Sequence, residues 1–237
     1  MHFSKKNIFI LLISIVFFSK NGGAGHLKLQ TSVVIVKADI GENAFPVKNE
    51  SSSPLMMLTK LEPLPEDPEK LVTITPPVSR IEPDDTQIVS FLLKNTASLK
   101  TERMARVTFE GIPPKGEKNG NRISINIAQN IPVIVRPKGL KRDYAPWKHL
   151  QWKVTNNTLT VHNPSPYVVR FHPELTLLPS QGTISLPSSY LLPSKTLSVS
   201  LPAKASVKSV KLTPASLYSY ILSPVELAVT TLDIIRG

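Results

Sequence analysis

The sequence predicts an all-β chain built as two β-sandwiches. Proline is abundant, at 22 residues against 10 glycines, and nearly every proline punctuates a short apolar run. That spacing belongs to short strands separated by turns. No stretch of useful length repeats apolar residues at the i, i+3, i+4 spacing of an amphipathic helix. The segment 137–146 (PKGLKRDYAP) is charged, holds two prolines and a glycine, and breaks the alternation. It divides a unit at 26–140 from one at 141–237, each of ordinary domain size.

Residues 1–25 read as a secretory signal peptide. Lys5 and Lys6 precede an apolar run at 8–18, and Gly22, Gly23, Ala24 and Gly25 supply small residues for cleavage. The run is too short to span a bilayer, and no other segment approaches a span, so no stable membrane insertion is expected. The whole chain carries a formal charge of +11, and loss of Lys5, Lys6 and Lys20 with the leader leaves +8. No basic run is interleaved with aromatics of the kind that stacks bases, so nucleic acid is not the expected partner. A positive surface steers an acidic protein or a negatively charged membrane surface equally well. Cysteine is absent, which removes thiol catalysis and thiolate metal sites. A chain of this length builds its cores without disulfides.

Along the mature chain, strands are expected at 27–36, 44–47, 55–61, 71–77, 86–93 and 105–109. Within 86–93, Ile88 lies opposite in phase to Val89 and Phe91. The segments 49–54, 62–70, 80–85 and 115–120 read as turns and loops rich in Pro, Ser, Glu and Gly. The second half repeats the style, with strands at 150–154, 158–162, 167–178, 196–201, 206–212 and 226–235. No short-period internal repeat is present.

One strand stands apart. In 121–137 (NRISINIAQNIPVIVRP), every second residue gives Ile123, Ile125, Ile127, Gln129, Ile131, Val133 and Val135. A period of two puts these on one face. From 123 to 135 an extended chain covers roughly 43 Å, against common strands of about 5–6 residues. Pro132 removes a ladder donor and places part of the strand at a sheet edge. Long apolar edges invite pairing with another chain. The face admits two readings: sandwich core, or a strand built for addition to another chain's sheet.

Signals for catalysis are missing. There is no phosphate-cradling glycine loop, no Gly-x-Ser-x-Gly elbow and no zinc-type histidine pair among His2, His26, His149, His162 and His172. Neither Glu102 with Glu110 nor Asp84 with Asp85 is placed in a cleft by the pattern. Asn49-Glu50-Ser51 and Asn156-Asn157-Thr158 match the glycosylation acceptor pattern.

Several stretches together resemble the periplasmic chaperones of chaperone–usher pilus assembly, the PapD-like superfamily. They are Thr75-Pro76-Pro77, Ser79-Arg80-Ile81-Glu82-Pro83, Gln87-Ile88-Val89 and Phe109-Glu110-Gly111-Ile112-Pro113-Pro114, then the long strand ending in Arg136-Pro137, and 159–167 (LTVHNPSPY). The resemblance covers most of the mature chain. It implies two immunoglobulin-like sandwiches set in an L with a cleft between them, in the periplasm, with no enzymatic activity and no ATP, metal or other cofactor. It implies that the long strand completes a pilus or fimbrial subunit that lacks its last strand, and that the subunit then passes to an outer-membrane usher. The donor positions fall on Ile123, Ile125 and Ile127, with Gln129 beyond them, and these are the residues that the period of two selects.

The chain departs from the family at the anchor for the subunit's terminal carboxylate. The family's arginine falls near Ser32 or Val33 and its lysine at Pro132, and none of these binds a carboxylate by charge. The Ile-Pro-Val-Ile-Val-Arg-Pro form resembles a divergent, archaic-type branch. Arg106, on the strand expected beside the long one, is the candidate substitute anchor. Arg136 is the candidate structural residue at the junction. The alternative function is an exported β-sandwich binding or adhesion module that shares the fold without the chaperone cycle; fold alone does not separate the two.

Overall fold

The architecture was read from a computed structural model of the protein. The structure describes residues 26–94, 99–114, 126–203, 205–216 and 221–231. The first half forms β1 (Leu27–Leu29), β2 (Val34–Lys37), β3 (Glu42–Asn49), β4 (Leu55–Pro63), β5 (Val72–Thr75), β6 (Val78–Ile81), β7 (Thr86–Leu93), β8 (Arg103–Ile112) and β9 (Ala128–Arg136). A single 3-10 turn among the described residues, Pro146–His149, opens the second half. It continues through β10 (Gln151–Thr155), β11 (Thr158–His162), β12 (Val169–Pro179), β13 (Thr183–Ser185), β14 (Tyr190–Leu191), β15 (Thr196–Ser200), β16 (Val207–Pro214) and β17 (Val225–Thr231).

In the first half a four-stranded sheet, β1-β3-β7-β5, faces a five-stranded sheet, β2-β9-β8-β4-β6. Alternation sets the packing. On β7, Val89 and Phe91 are fully buried and Ile88 faces out; on β4, Leu55 and Met57 face in while Met56 and Leu58 face out. Phe45 links the layers, edge-on to Phe91 and stacked on Phe109 of the other sheet at 5.4 Å between centroids. Gly111 lets the sheets close here, because a Cβ would lie 3.2 Å from both Leu27 and Leu55. In the second half one hydrogen-bonded path, β13-β12-β16-β17-β10-β11-β15, wraps a single core. It turns at β17, which runs antiparallel to β16 and parallel to β10. Leu159, Val161, Leu175, Leu177, Val210 and Leu212 meet inside.

Three expected elements differ. The run 27–36 is not one strand. β1 joins β3 in one sheet and β2 joins β9 in the other, and the polar break between them is turned by Thr31, whose hydroxyl donates to the Val33 carbonyl at 2.7 Å. The segment 62–70 is not wholly a loop, because β4 runs on through Pro63 and Leu64 is buried. Residues 80–85 are a turn only after Ile81, since Arg80 and Ile81 complete β6, paired with Met56 and Leu55 of β4. The last expected strand, 226–235, begins at Val225, and residues 232–235 lie outside the described residues.

A long-range duplication becomes visible in three dimensions. Asn49 and Asn163 are both fully buried and make the same clasp. The Asn49 amide donates to the carbonyls of Ser53 and Ile81, and its oxygen accepts from the amide and hydroxyl of Ser51. The Asn163 amide donates to the carbonyls of Tyr167 and Leu191, and its oxygen accepts from the amide and hydroxyl of Ser165. The match extends to the backbone. The Asp84 amide donates to the Asn49 carbonyl and the Ser194 amide to the Asn163 carbonyl, with φ of 63° and 59° at those donors. Asn49 is therefore a structural pin and its side chain is closed to glycosylation in the folded chain. Replacing either asparagine by alanine strands buried partners. Asn49→Ala and Asn163→Ala should each cost about 3 kcal/mol, read as a lower midpoint in urea denaturation, whereas Asn156→Ala, on an exposed turn at φ 47°, should cost only about 1 kcal/mol from backbone strain.

Candidate functional site: a strand edge left open beside a cationic junction

β9 is flanked unequally. Along its whole length it pairs antiparallel with β8, from Ala128 opposite Glu110 to Val135 opposite Arg103. On its other side the parallel partner β2 covers only Val133 to Arg136. Residues 128–132 thus present one unpaired edge among the described residues, and Pro132 sits where that edge begins. Burial changes along the same line. Ile131, Val133 and Val135 belong to the first core. Gln129, half-buried, closes the core by donating its side-chain amide to the Leu27 carbonyl on the opposite sheet. Ile127, one step further, is 40% exposed. The alternating face is core at one end and open at the other. Ile123 and Ile125 lie outside the described residues.

The inner end of this edge abuts the junction between the halves. Leu64 and Met104 pack against Val168 and Leu192, and the Tyr190 hydroxyl bonds Glu66 at 2.6 Å. Burial first, then Glu66, push the Tyr190 hydroxyl up to about 12. Arg136 donates from Nε to Glu102 at 2.9 Å, while the other Glu102 oxygen accepts from the Val168 amide at 3.0 Å. The Glu102 side chain is 1% exposed and that of Arg136 12%. Burial outweighs both donors and holds the Glu102 carboxyl above its usual range.

Arg106 lies opposite Pro132 on β8. Its Nη2 donates to the Asn130 carbonyl at 2.9 Å, and Nε bonds the Asn130 side chain, which in turn donates to the Thr108 hydroxyl. Burial lowers the Arg106 pKa and Tyr190 partly offsets this. Arg170, on β12 opposite Tyr190, is lowered first by burial and then by Arg106. Two half-buried guanidiniums, one from each half, are therefore electrostatically coupled where the open edge ends. Val33 is buried and Pro132 is apolar, so neither supplies charge. Sequence reasoning reached Arg106 but not Arg170, Tyr190 or Glu66, which carry no local pattern. Among the described residues no group of three or more His, Cys, Asp or Glu is gathered as a metal site would need.

A family model for the N-terminal domain of PapD, the pili and flagellar-assembly chaperone, matches residues 26–141, and a model for the C-terminal domain of the pili-assembly chaperone PapD matches residues 145–216. The chain belongs to the PapD family of pilus-assembly chaperones. This fimbrial chaperone is 37% identical over 192 residues to the uncharacterized fimbrial chaperone YhcA of Escherichia coli K12, covering 81% of this chain and 85% of that protein. It is 27% identical over 188 residues to the probable fimbrial chaperone YadV of the same organism, covering 72% and 76%. Its fold is similar to that in the complex of SafA pilin with the SafB chaperone of Salmonella enterica, at TM-score 0.71, 18% identity and coverage of 86% and 96%. It is also similar to that in the CsuC–CsuE chaperone–tip adhesion subunit complex from archaic Csu pili of Acinetobacter baumannii, at TM-score 0.64, 15% identity and coverage of 88% and 100%.

Breaking the buried Glu102–Arg136 pair leaves a charge without its partner. Glu102→Ala should destabilise the chaperone by about 3–5 kcal/mol, measured by urea denaturation. The pH dependence follows from the raised Glu102 value: the folded state holds this proton to higher pH than the unfolded chain does. This group's contribution to stability is thus largest below the usual carboxyl range and falls as pH rises through the raised value. Glu102→Gln should remove that downward slope from a stability-versus-pH series relative to wild type.

Proposed function

We propose that this chaperone acts in the periplasm, exported by residues 1–25, and captures pilus or fimbrial subunits by donor-strand complementation before delivering them to an outer-membrane usher. The observation that carries the reading is the half-paired β9: an unpaired edge at 128–132 beside an apolar stripe that leaves the core and reaches exposed Ile127, and the sequence carries the same alternation back to Ile125 and Ile123. β-Augmentation uses such an edge, with backbone bonds supplying affinity and alternate side chains filling the partner's pockets. Burial of three isoleucines contributes on the order of 5–8 kcal/mol at ~25 cal/mol per Å², before the ordering costs of association.

The position of β2 limits how a subunit strand is seated. β2 occupies the edge from Val133 onward, so an added strand stops beside Pro132. A strand running parallel to β9, as β2 does, ends there with its terminal carboxylate. Arg106 lies across β9 at that level, with Arg170 close by, and we assign the carboxylate anchor to Arg106 supported by Arg170. A charge-assisted bond there contributes about 1.5–3 kcal/mol. Gln129 stays a core-closing residue and marks the inner limit of the donated stripe. Usher docking needs a surface that remains free while a subunit covers β9. The outer face of the same sheet offers one at its far side: Met56, Leu58, Val78 and Ile112 are exposed, with Leu58 opposite Val78 and Met56 opposite Ile112. A contiguous exposed apolar patch of this kind marks a protein-interaction surface.

Ile125→Asp should abolish recovery of a co-purifying subunit from periplasm, a drop of about 100-fold or more because an unpaired carboxylate enters an apolar groove, while the melting temperature stays at the wild-type value. Undiminished recovery would return the chain to an exported binding module. Arg106→Ala should weaken binding of a peptide from the subunit's last strand by about 10- to 100-fold when the peptide ends in a free carboxylate, and should have no effect on the amidated peptide. Equal effects on both peptides would remove Arg106 from the anchor.

A further inference from the structure

The junction between the halves rings its apolar cluster with polar groups. Leu64, Met104, Val168 and Leu192 pack together there, with Tyr190 against them. Two residues from these four along the chain stand Glu66, Arg106, Arg170 and Tyr190. In extended backbone a spacing of two returns a side chain to the same side, so Arg106 follows Met104 on β8 and Arg170 follows Val168 into β12. Arg170 and Tyr190 are cross-strand neighbours on β12 and β14. Arg106 is electrostatically coupled to both. One hydroxyl and two guanidiniums therefore meet beside Pro132, where the open edge of β9 ends. The hydroxyl is already engaged. Tyr190 donates to Glu66 Oε1 at 2.6 Å on the exposed side of the junction, a bond between residues 124 apart in sequence. Glu66 is itself exposed and forms no ion pair among the described residues. A phenolic hydroxyl has one proton to donate, so Tyr190 serves one carboxylate at a time.

We propose that Glu66 is an internal competitor of the subunit's terminal carboxylate: it holds the Tyr190 hydroxyl in the free chaperone, and capture transfers that hydroxyl to the carboxylate seated at Arg106 and Arg170. This role rests on the carboxylate anchor assigned above and adds Tyr190 to it as a third donor. Binding then exchanges one charge-assisted bond for another, so the third donor adds little affinity while Glu66 is present. The subunit is held less tightly than three unopposed donors would hold it. A chaperone has to give its subunit up, and on release the Tyr190 hydroxyl returns to Glu66 and the bridge between the halves forms again.

The test uses the full exported chain, purified from periplasm, and the last-strand peptide of the subunit that co-purifies with it, made with a free and with an amidated end. Glu66→Ala should tighten the free-acid peptide about tenfold, because Tyr190 then gains a charge-assisted bond without losing one. In a Tyr190→Phe background the same substitution should shift affinity less than about threefold, the share left to through-space repulsion by an exposed charge. The amidated peptide should not respond to Glu66→Ala. With tyrosine labelled at Cζ, the Tyr190 resonance should move on saturation with the free-acid peptide and end at one position whether or not Glu66 is present. Glu66 is exposed and Tyr190 only half-buried, so both variants should keep the wild-type circular dichroism spectrum. Unchanged affinity in Glu66→Ala would overturn the proposal, as would equal tightening in the Tyr190→Phe background, equal tightening of the amidated peptide, or a Tyr190 resonance unmoved in the saturated complex. A wild-type chain that binds the free-acid and amidated peptides equally would overturn the anchor itself and this role with it.

Discussion

A strand whose neighbour stops halfway has to leave backbone groups open for the rest of its length, and this constraint organises the first half of the molecule. β2 pairs with four residues of β9 and then yields the edge. It is so short because the chain leaves β1 in one sheet, turns at 30–33, and arrives in the other sheet only at Val34. The switch between sheets therefore defines both where the sandwich is complete and where the β9 edge is left open. Open edges are a hazard that proteins usually blunt. Here the edge carries Pro132 at its inner limit, Gln129 turned into the core and Asn130 bound by Arg106, so the exposed part is bounded by residues that fix its register.

The two halves are held by matching local devices. Asn49 and Asn163 pin equivalent corners of the sandwiches with the same four side-chain hydrogen bonds. Between the halves, the Glu102 carboxylate joins Arg136, at the end of β9, to the Val168 amide just before β12. The residue that ends β9 is thus also the one that locks the junction, so the orientation of the second half is referred to β9 itself.

Much of this was legible in the sequence. Over Ala128 to Arg136 the period of two located the strand and its face, while Ile127 falls outside the strand and Ile123 and Ile125 outside the described residues; Pro132 located the edge, and Arg106 was correctly placed on the neighbouring strand. These features are local and periodic, and periodicity survives without coordinates. What the sequence hid is non-local. The run 27–36 has uniform β propensity, so nothing in it announces a change of sheet; only the polar Gln30-Thr31-Ser32 hints at it. Asn49-Glu50-Ser51 looked like an acceptor site because burial is invisible in a tripeptide, although a second Asn-x-Ser at 163–165 was a usable sign of duplication. Glu66 and Tyr190 are 124 residues apart, and Arg106 and Arg170 lie on different halves, so no window could join them.

Amide hydrogen exchange along β9 tests the central claim most directly, because it reads the open edge itself. In the free chaperone, Val133 to Val135 should exchange slowly, while amides at 128–131 that point away from β8 should exchange as fast as exposed strand edges do. On adding a subunit, or a peptide of its last strand, those edge amides should become protected and Val133 to Val135 should stay as they were. Edge amides that are already protected in the free protein, or that remain fast in a saturated complex, would contradict strand addition at β9.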